Sequence, residues 1–185
     1  MPASVANPAG AEVHIPDPSL VVLIGAAGAG KSTFARRWFA PDEILSSDAL
    51  RALVAGNPAD QSASVAAFGI LHRRLAERLR DRRLTVVDAT NVRRAARRTL
   101  LTRAARSGLP SIAIVLDLPP EVVHARNAAR LERVVEAAVV DRQLADLRLT
   151  LDGHQLDEEG FAAVVRVRSG VALEALRLVR LAGDG

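Results

Sequence analysis

The stretch "SLVVLIGAAGAGKST", residues 19–33, constrains the fold of this chain more than any other. Leu20 to Ile24 form an unbroken apolar run, the pattern of a strand buried on both faces. It stops at Gly25 in a turn too rich in glycine to continue either a strand or a helix. A helical pattern then resumes over 32–40. The spacing Gly25, four residues, Gly30, Lys31, Ser32 is that of a loop whose backbone N–H groups wrap a nucleotide's phosphates. The glycines let the backbone bend and approach, and the helix that follows turns its positive dipole end toward the anion. Lysine and arginine together number 25, and Lys31 is the only lysine. Its compact charge on a flexible stem suits β- and γ-phosphate oxygens, whereas arginine's planar fork has a different shape. Gly25, Gly28, Ala29, Gly30, Lys31, Ser32 and Thr33 are therefore the expected nucleotide-binding residues, with the Ser32 hydroxyl on Mg²⁺.

A strand that feeds such a turn commits the rest of the chain to an α/β plan. Apolar runs recur at 43–47, 84–89, 111–117 and 161–169. Helical patterns separate them at 32–40, 64–81, 92–107, from 120 into the 140s, and at 171–181. Nearly continuous apolar strands alternating with helices predict an open parallel sheet of about five strands, covered on both faces. Residues 1–18, rich in Pro, Ala and Gly, read as a loose tail, and 19–185 as a single domain. The chain has no cysteine, which excludes disulfides and thiolate metal sites. No apolar run reaches the length of a spanning helix, and the first residues lack the charged start and apolar core of a secretory signal. A cytoplasmic location and no membrane partner are the default expectations. Aromatic residues make up only 3% of the chain, so stacking on nucleobases has few side chains to use.

In open α/β sheets ligands bind outside the carboxyl ends of the strands, so the residues there carry the chemistry. Asp48 follows the second strand in "SSDALR", and Arg51 lies one helical turn on. A carboxylate there can take the proton of an attacking hydroxyl; alternatively Ser47 or Asp48 caps the next helix. Asp88 ends the third strand in "VVDATN", where a second acid helps hold magnesium with Ser32. Asn91 either caps the following helix or contacts substrate. After the fourth strand, Arg126, Arg130 and Arg133 fall on one face of a helix, either as a lid over the triphosphate or as a solvated stripe. Between 92 and 107 there are six arginines and no acid. That face is either simply solvated or meets a polyphosphate or nucleic-acid backbone. The four histidines have no ligand-spaced partners.

With "GAAGAGKSTFARRWF", "EILSSDALR", "DQSASVAAFGILHRRLAERLRDRRLTVVDATN" and "RNAARLERVV" in this order, the chain resembles the 5′-kinase domain of bacterial polynucleotide kinase–phosphatase, an RNA end-healing enzyme of the P-loop kinase superfamily. The resemblance covers about residues 20–178. It implies ATP-dependent transfer of a phosphoryl group to a 5′-hydroxyl end of RNA or DNA, with Mg²⁺. Lys31 and Ser32 match the phosphate- and Mg²⁺-binding positions, and Asp48 matches the base. Arg51 matches the residue on the acceptor's phosphate. Arg126 and Arg130 match catalytic lid arginines on ATP, with Arg133 a weaker match. Phosphatase and end-joining (ligase) modules, covalent or separate, are the implied partners, and a homodimer stays open. The alternative is a P-loop kinase acting on a small-molecule hydroxyl, such as an antibiotic, sugar or toxin-type kinase. A nucleotide-binding switch without transfer is the non-enzymatic reading.

Overall fold

A computed structural model describes residues 3–6, 12–54, 61–131 and 134–182, with only the backbone described at 3–6 and 61–64. The strands are β1 (Ala3–Ala6), β2 (Glu12–Asp17), β3 (Leu20–Ile24), β4 (Ile44–Ser46), β5 (Thr85–Asp88), β6 (Ser111–Leu116), β7 (Ala163–Val167) and β8 (Arg177–Ala182). The helices are α1 (Lys31–Trp38), α2 (Ser47–Val54), α3 (Gln61–Arg80), α4 (Arg94–Arg106), α5 (Pro120–Ala128), α6 (Ala137–Asp152), α7 (Gln155–Glu158) and α8 (Gly170–Ala175).

Among the described residues the main sheet runs β1-β7-β6-β3-β5-β4, with every pairing parallel. Its five inner and right-hand strands are those expected from the apolar runs. β3 is central, with no residue exposed, because it must be covered on both faces. One apolar layer joins Phe34, Phe39, Val123 and Leu176 to that sheet. The opposite layer is built from Leu50, Leu71, Leu75, Leu79, Leu100 and Ala104 of α2, α3 and α4. Register aligns Leu23 with Asp88 and Ser46 with Asp88, so the ends of β3, β4 and β5 open at one level. No helix of the described residues is long and apolar enough to cross a membrane.

Three expectations are corrected. Residues 3–6 and 12–17, expected as part of a loose tail, are strands: β1 pairs with β7, and β2 with β8. The Pro and Ala content hid the alternation of Val13 and Ile15, both buried. The helix expected over 171–181 ends at Ala175, and β8 follows it. β2 offers β8 a parallel partner, and Arg180 pins the ribbon by donating to Glu43 Oε1 and Oε2 at 2.8 and 2.7 Å. The helix expected from 120 into the 140s is two helices. α5 stops at Ala128, where Asn127 folds back and clamps Val135: its Nδ2 donates to the Val135 carbonyl (2.7 Å) and its Oδ1 accepts the Val135 N–H (3.1 Å).

The arginines of α4 are not uniformly a solvated face. Arg97 is wholly buried. It donates to Glu159 at 2.7 and 2.6 Å and to the carbonyls of Asn91 and Val92 at 3.0 and 2.7 Å. Arg93 pairs with Asp146 at 3.0 Å. A buried charge whose partner is removed stays desolvated with nothing to offset it. Glu159→Ala is therefore expected to destabilise the protein by about 3–5 kcal/mol, and Arg97→Met/Glu159→Leu by much less, in urea unfolding.

Candidate active site

The loop from Gly25 to Ser32 joins the end of β3 to α1. It is held from below by Gly25 N–H on the Thr90 carbonyl (3.0 Å) and closed by Ala29 N–H on Ala26 O (3.1 Å). Gly28 and Gly30 adopt φ of 90° and 96°, the left-handed region that glycine enters without strain. Their reasons differ. A Cβ at Gly28 would lie 2.4 Å from the Val123 carbonyl, so glycine there lets α5 pack directly on the loop. A Cβ at Gly30 would meet only Arg126 Nη1 at 3.5 Å and Leu173 at 3.7 Å. Conformation, not space, demands glycine at 30.

Lys31 is buried, and its Nζ donates to the carbonyls of Gly25 (2.9 Å) and Ala26 (2.8 Å). An ammonium has three donors, so this geometry leaves one for an anion. Burial pushes its pKa down to about 8; the charges of Asp88 and then Asp48 oppose that shift, and Arg130 adds to it. Lys31, Asp48, Asp88 and Arg130 therefore share one electrostatic field, although they come from four separate parts of the chain.

Asp48 sits in the first turn of α2, just past β4. Its carboxylate pairs with Arg51 one turn on, and its Oδ2 lies 3.9 Å from Arg130 Nη2. The capping alternative for Ser47 and Asp48 goes to another residue: Ser46 Oγ accepts the Ala49 N–H at 3.4 Å. Asp88 is buried at the end of β5, on the neighbouring strand. Ser32 is half-buried and Thr33 exposed at the start of α1.

The arginines expected as a lid do not form one stripe. Arg126 is on α5 with its guanidinium beside Gly30 and Gly170. Arg130 lies beyond the end of α5 and turns to Asp48. Arg133 lies outside the described residues. Asn91, expected as a cap or substrate contact, is spent inside the fold. It is buried at φ 48°, and its Nδ2 donates to Leu23 O at 2.8 Å. α4 is preceded by Arg93 at its cap position instead.

Two side chains that the sequence did not single out also shape the loop. Gln143 of α6 accepts the Ala27 N–H at 2.8 Å across 116 positions. Asn127 closes the α5–α6 connection as described above. No local spacing announces a partner that far away, so only the tertiary structure reveals Gln143.

The donor set fits a nucleotide with its magnesium ion. Left-handed glycines, a buried ammonium and a helix start converge on one anion position. Ser32 and Asp88 would be the oxygen donors for such a metal. Two outcomes are expected. Gly28→Ala forces α5 off the loop and lowers nucleotide affinity at least tenfold in calorimetric titration. In the free protein Lys31 loses its proton near pH 8, and bound phosphate needs it charged. Affinity should therefore be flat below pH 8 and fall by up to about tenfold per pH unit above it. For folding the sign reverses: the unfolded chain keeps the proton to about 10.5, so the cost of burying Lys31 is full below pH 8 and fades between 8 and 10.5.

Solved structures share this fold. A chain of the Pnkp1/Rnl/Hen1 RNA repair complex superposes with a TM-score of 0.64 at 22% identity, over 75% of this chain and 47% of that one. This chain thus spans about half the length of that relative. The PezAT toxin–antitoxin system of Streptococcus pneumoniae matches with a TM-score of 0.65 at 12% identity, over 82% and 67%. A gluconokinase from Sinorhizobium meliloti 1021 matches with a TM-score of 0.52 at 21% identity, over 87% and 93%. At these identities the likeness is one of fold. No curated protein matches the chain by sequence. The model of the AAA domain family matches residues 20–150, which takes in the glycine loop, Asp48, Asp88, Arg126 and Arg130, and the chain belongs to that family.

Proposed function

We propose that this protein is an ATP-dependent kinase that transfers the γ-phosphate to the 5′-hydroxyl end of a polynucleotide. One observation carries the reading: the Asp48 carboxylate stands in the same electrostatic field as the loop lysine, between Arg51 and Arg130. A switch that only binds nucleotide has no need of a carboxylate there. In the proposed reaction Asp48 takes the proton of the acceptor hydroxyl, whose oxygen bonds to the γ-phosphorus. The bond from that phosphorus to the β–γ bridging oxygen breaks, and ADP leaves. Lys31, Arg126 and Arg130 offset charge on the transferring group. Arg51 receives the acceptor's own phosphate, which a polynucleotide end has and a simple alcohol lacks. Ser32 and Asp88 would hold Mg²⁺, which would offset the negative charge of the triphosphate.

The likeness to a chain of an RNA repair complex supports a nucleic-acid acceptor, and phosphatase and end-joining partners, in the same or a separate chain, are what the resemblance of the motifs implies. A second reading, a small hydroxyl acceptor, is favoured by the gluconokinase, whose fold is matched over 93% of its length. Labelled ATP, offered with a 5′-hydroxyl oligonucleotide or with gluconate and related alcohols, separates the two. Asp48→Ala should lower transfer by about 10²–10⁴-fold while the variant still binds ATP. Normal turnover by that variant would remove Asp48 as the base, and label appearing only on the small alcohols would favour the second reading.

A further inference from the structure

Four of the five aromatic side chains, Phe34, Trp38, Phe39 and Phe161, are buried or half-buried in the two apolar layers. The fifth, Phe68, is 39% exposed on α3, and Val65 beside it is 78% exposed. Val65, Phe68 and His72 recur at the spacing that puts side chains on one helix face. Gly69, next to Phe68, faces open space: a Cβ there would meet nothing within 4 Å. Val65 and Phe68 leave apolar surface on the exposed side of α3, the opposite of what these helices do on their core side.

α4 packs alongside α3. Arg103 is its contribution to the seam, close enough to His72 that its charge, after burial, holds the imidazole below its ordinary pKa. His72 Nδ1 and Arg103 Nε are both cut off from solvent without a hydrogen-bond partner. Arg106 lies one turn further on, exposed. Glu77 is the one acid in the sequence of α3, and α4 has none. Whereas Arg93 and Arg97 are neutralised by Asp146 and Glu159, Arg103 and Arg106 stand in no ion pair among the described residues. Like charges gathered without an acid are costly unless an anion meets them.

We propose that the seam between α3 and α4 carries the single-stranded body of the acceptor, with a base stacked on Phe68 and the following phosphates on Arg103 and Arg106. This rests on the polynucleotide reading above. α4 begins just beyond β5, the strand that ends in Asp88, so the seam opens at the level of the active site. From Arg94 to Arg106 it descends about 18 Å at the rise of an α-helix. Aromatic stacking combined with a basic track is how single strands are held without reading their sequence. The same chemistry does not suit a small alcohol, which needs neither.

The test uses the full chain with a 5′-hydroxyl dodecamer and a 5′-hydroxyl dinucleotide as acceptors, and fluorescence anisotropy of the labelled dodecamer at several salt concentrations. Phe68→Ala and Arg106→Ala, at exposed positions, should each raise KM for the dodecamer about fivefold to tenfold. The kcat, and KM for the dinucleotide, should not change. Arg106→Ala should also lower the salt slope of dodecamer binding by about 0.7. Arg103→Ala should do the same, with its thermal unfolding followed in parallel because it is half-buried. Unchanged dodecamer KM and salt slope in Phe68→Ala and Arg106→Ala overturn the proposal, as does an equal loss with both acceptors. If the wild type phosphorylates the dodecamer and the variants match it, the seam fails and the kinase reading stands. If the wild type binds the dodecamer through Arg106 but transfers no phosphate, the seam stands and the kinase reading fails. Displacement of the dodecamer by inorganic polyphosphate, with no effect of Phe68→Ala, would reduce the seam to a general anion surface and also overturn the proposal.

Discussion

Burying one ammonium group just beyond the end of the central strand is the constraint on which the rest of this structure depends. Lys31 is dry enough to be short of its full charge above about pH 8, and it is held on the carbonyls of Gly25 and Ala26. A group so placed is costly in an empty fold and favourable beside a polyanion. The charges of Asp88 and Asp48 oppose that cost; Asp88 ends β5 and Asp48 stands in the first turn of α2 just past β4, the two strands that continue the sheet on one side of β3. The order of strands and the location of the acids are one fact. Because β5 pairs with β3 and β4 pairs with β5, the residues at their ends bring two carboxylates into the field of the lysine.

The loop is gripped from the other side by the α5–α6 unit. Gly28 allows α5 to touch the loop backbone, Gln143 of α6 takes the Ala27 N–H, and Asn127 ties the connection between the two helices. Arg126 and Arg130, which belong to this unit, are thereby set relative to the phosphate position by backbone contacts and not by their own flexible stems. Arg130 reaches Asp48 from there. Arg130 thus joins the α5–α6 unit to the carboxylate proposed as the base, so movement of that connection would alter the surroundings of Asp48.

Much of this was legible in the chain itself. The apolar run before Gly25, the glycine spacing and the lone lysine specify strand, turn and helix with little freedom. The other four expected strands, β4, β5, β6 and β7, follow from their apolar runs. Asp48 and Asp88 follow from their place at strand ends. What could not be read has a common cause: it depends on pairing across long separations. β2 and β8 are each ambiguous alone, and each becomes a strand because the other is there. The break after Ala128 is set by a side chain reaching Val135, where helical periodicity continues unbroken through the sequence. The arginine-rich segment was read as one surface, but a single buried acid, Glu159, divides it into a structural part and an exposed part.

The Arg97 cluster has a consequence for how this protein will behave under mutation. Glu159 holds Arg97, Arg97 holds the carbonyls of Asn91 and Val92, and Asn91 holds the carbonyl of Leu23, the residue beside Asp88 in the sheet. A chain of dry polar contacts thus runs from the far corner before β7 to the rim that carries the acids. A scan scored by turnover alone would rank Glu159 with the reacting groups, although it touches none of them. Its defect would be a rim out of alignment, and compensating changes should arise in the corner and not in the phosphate loop.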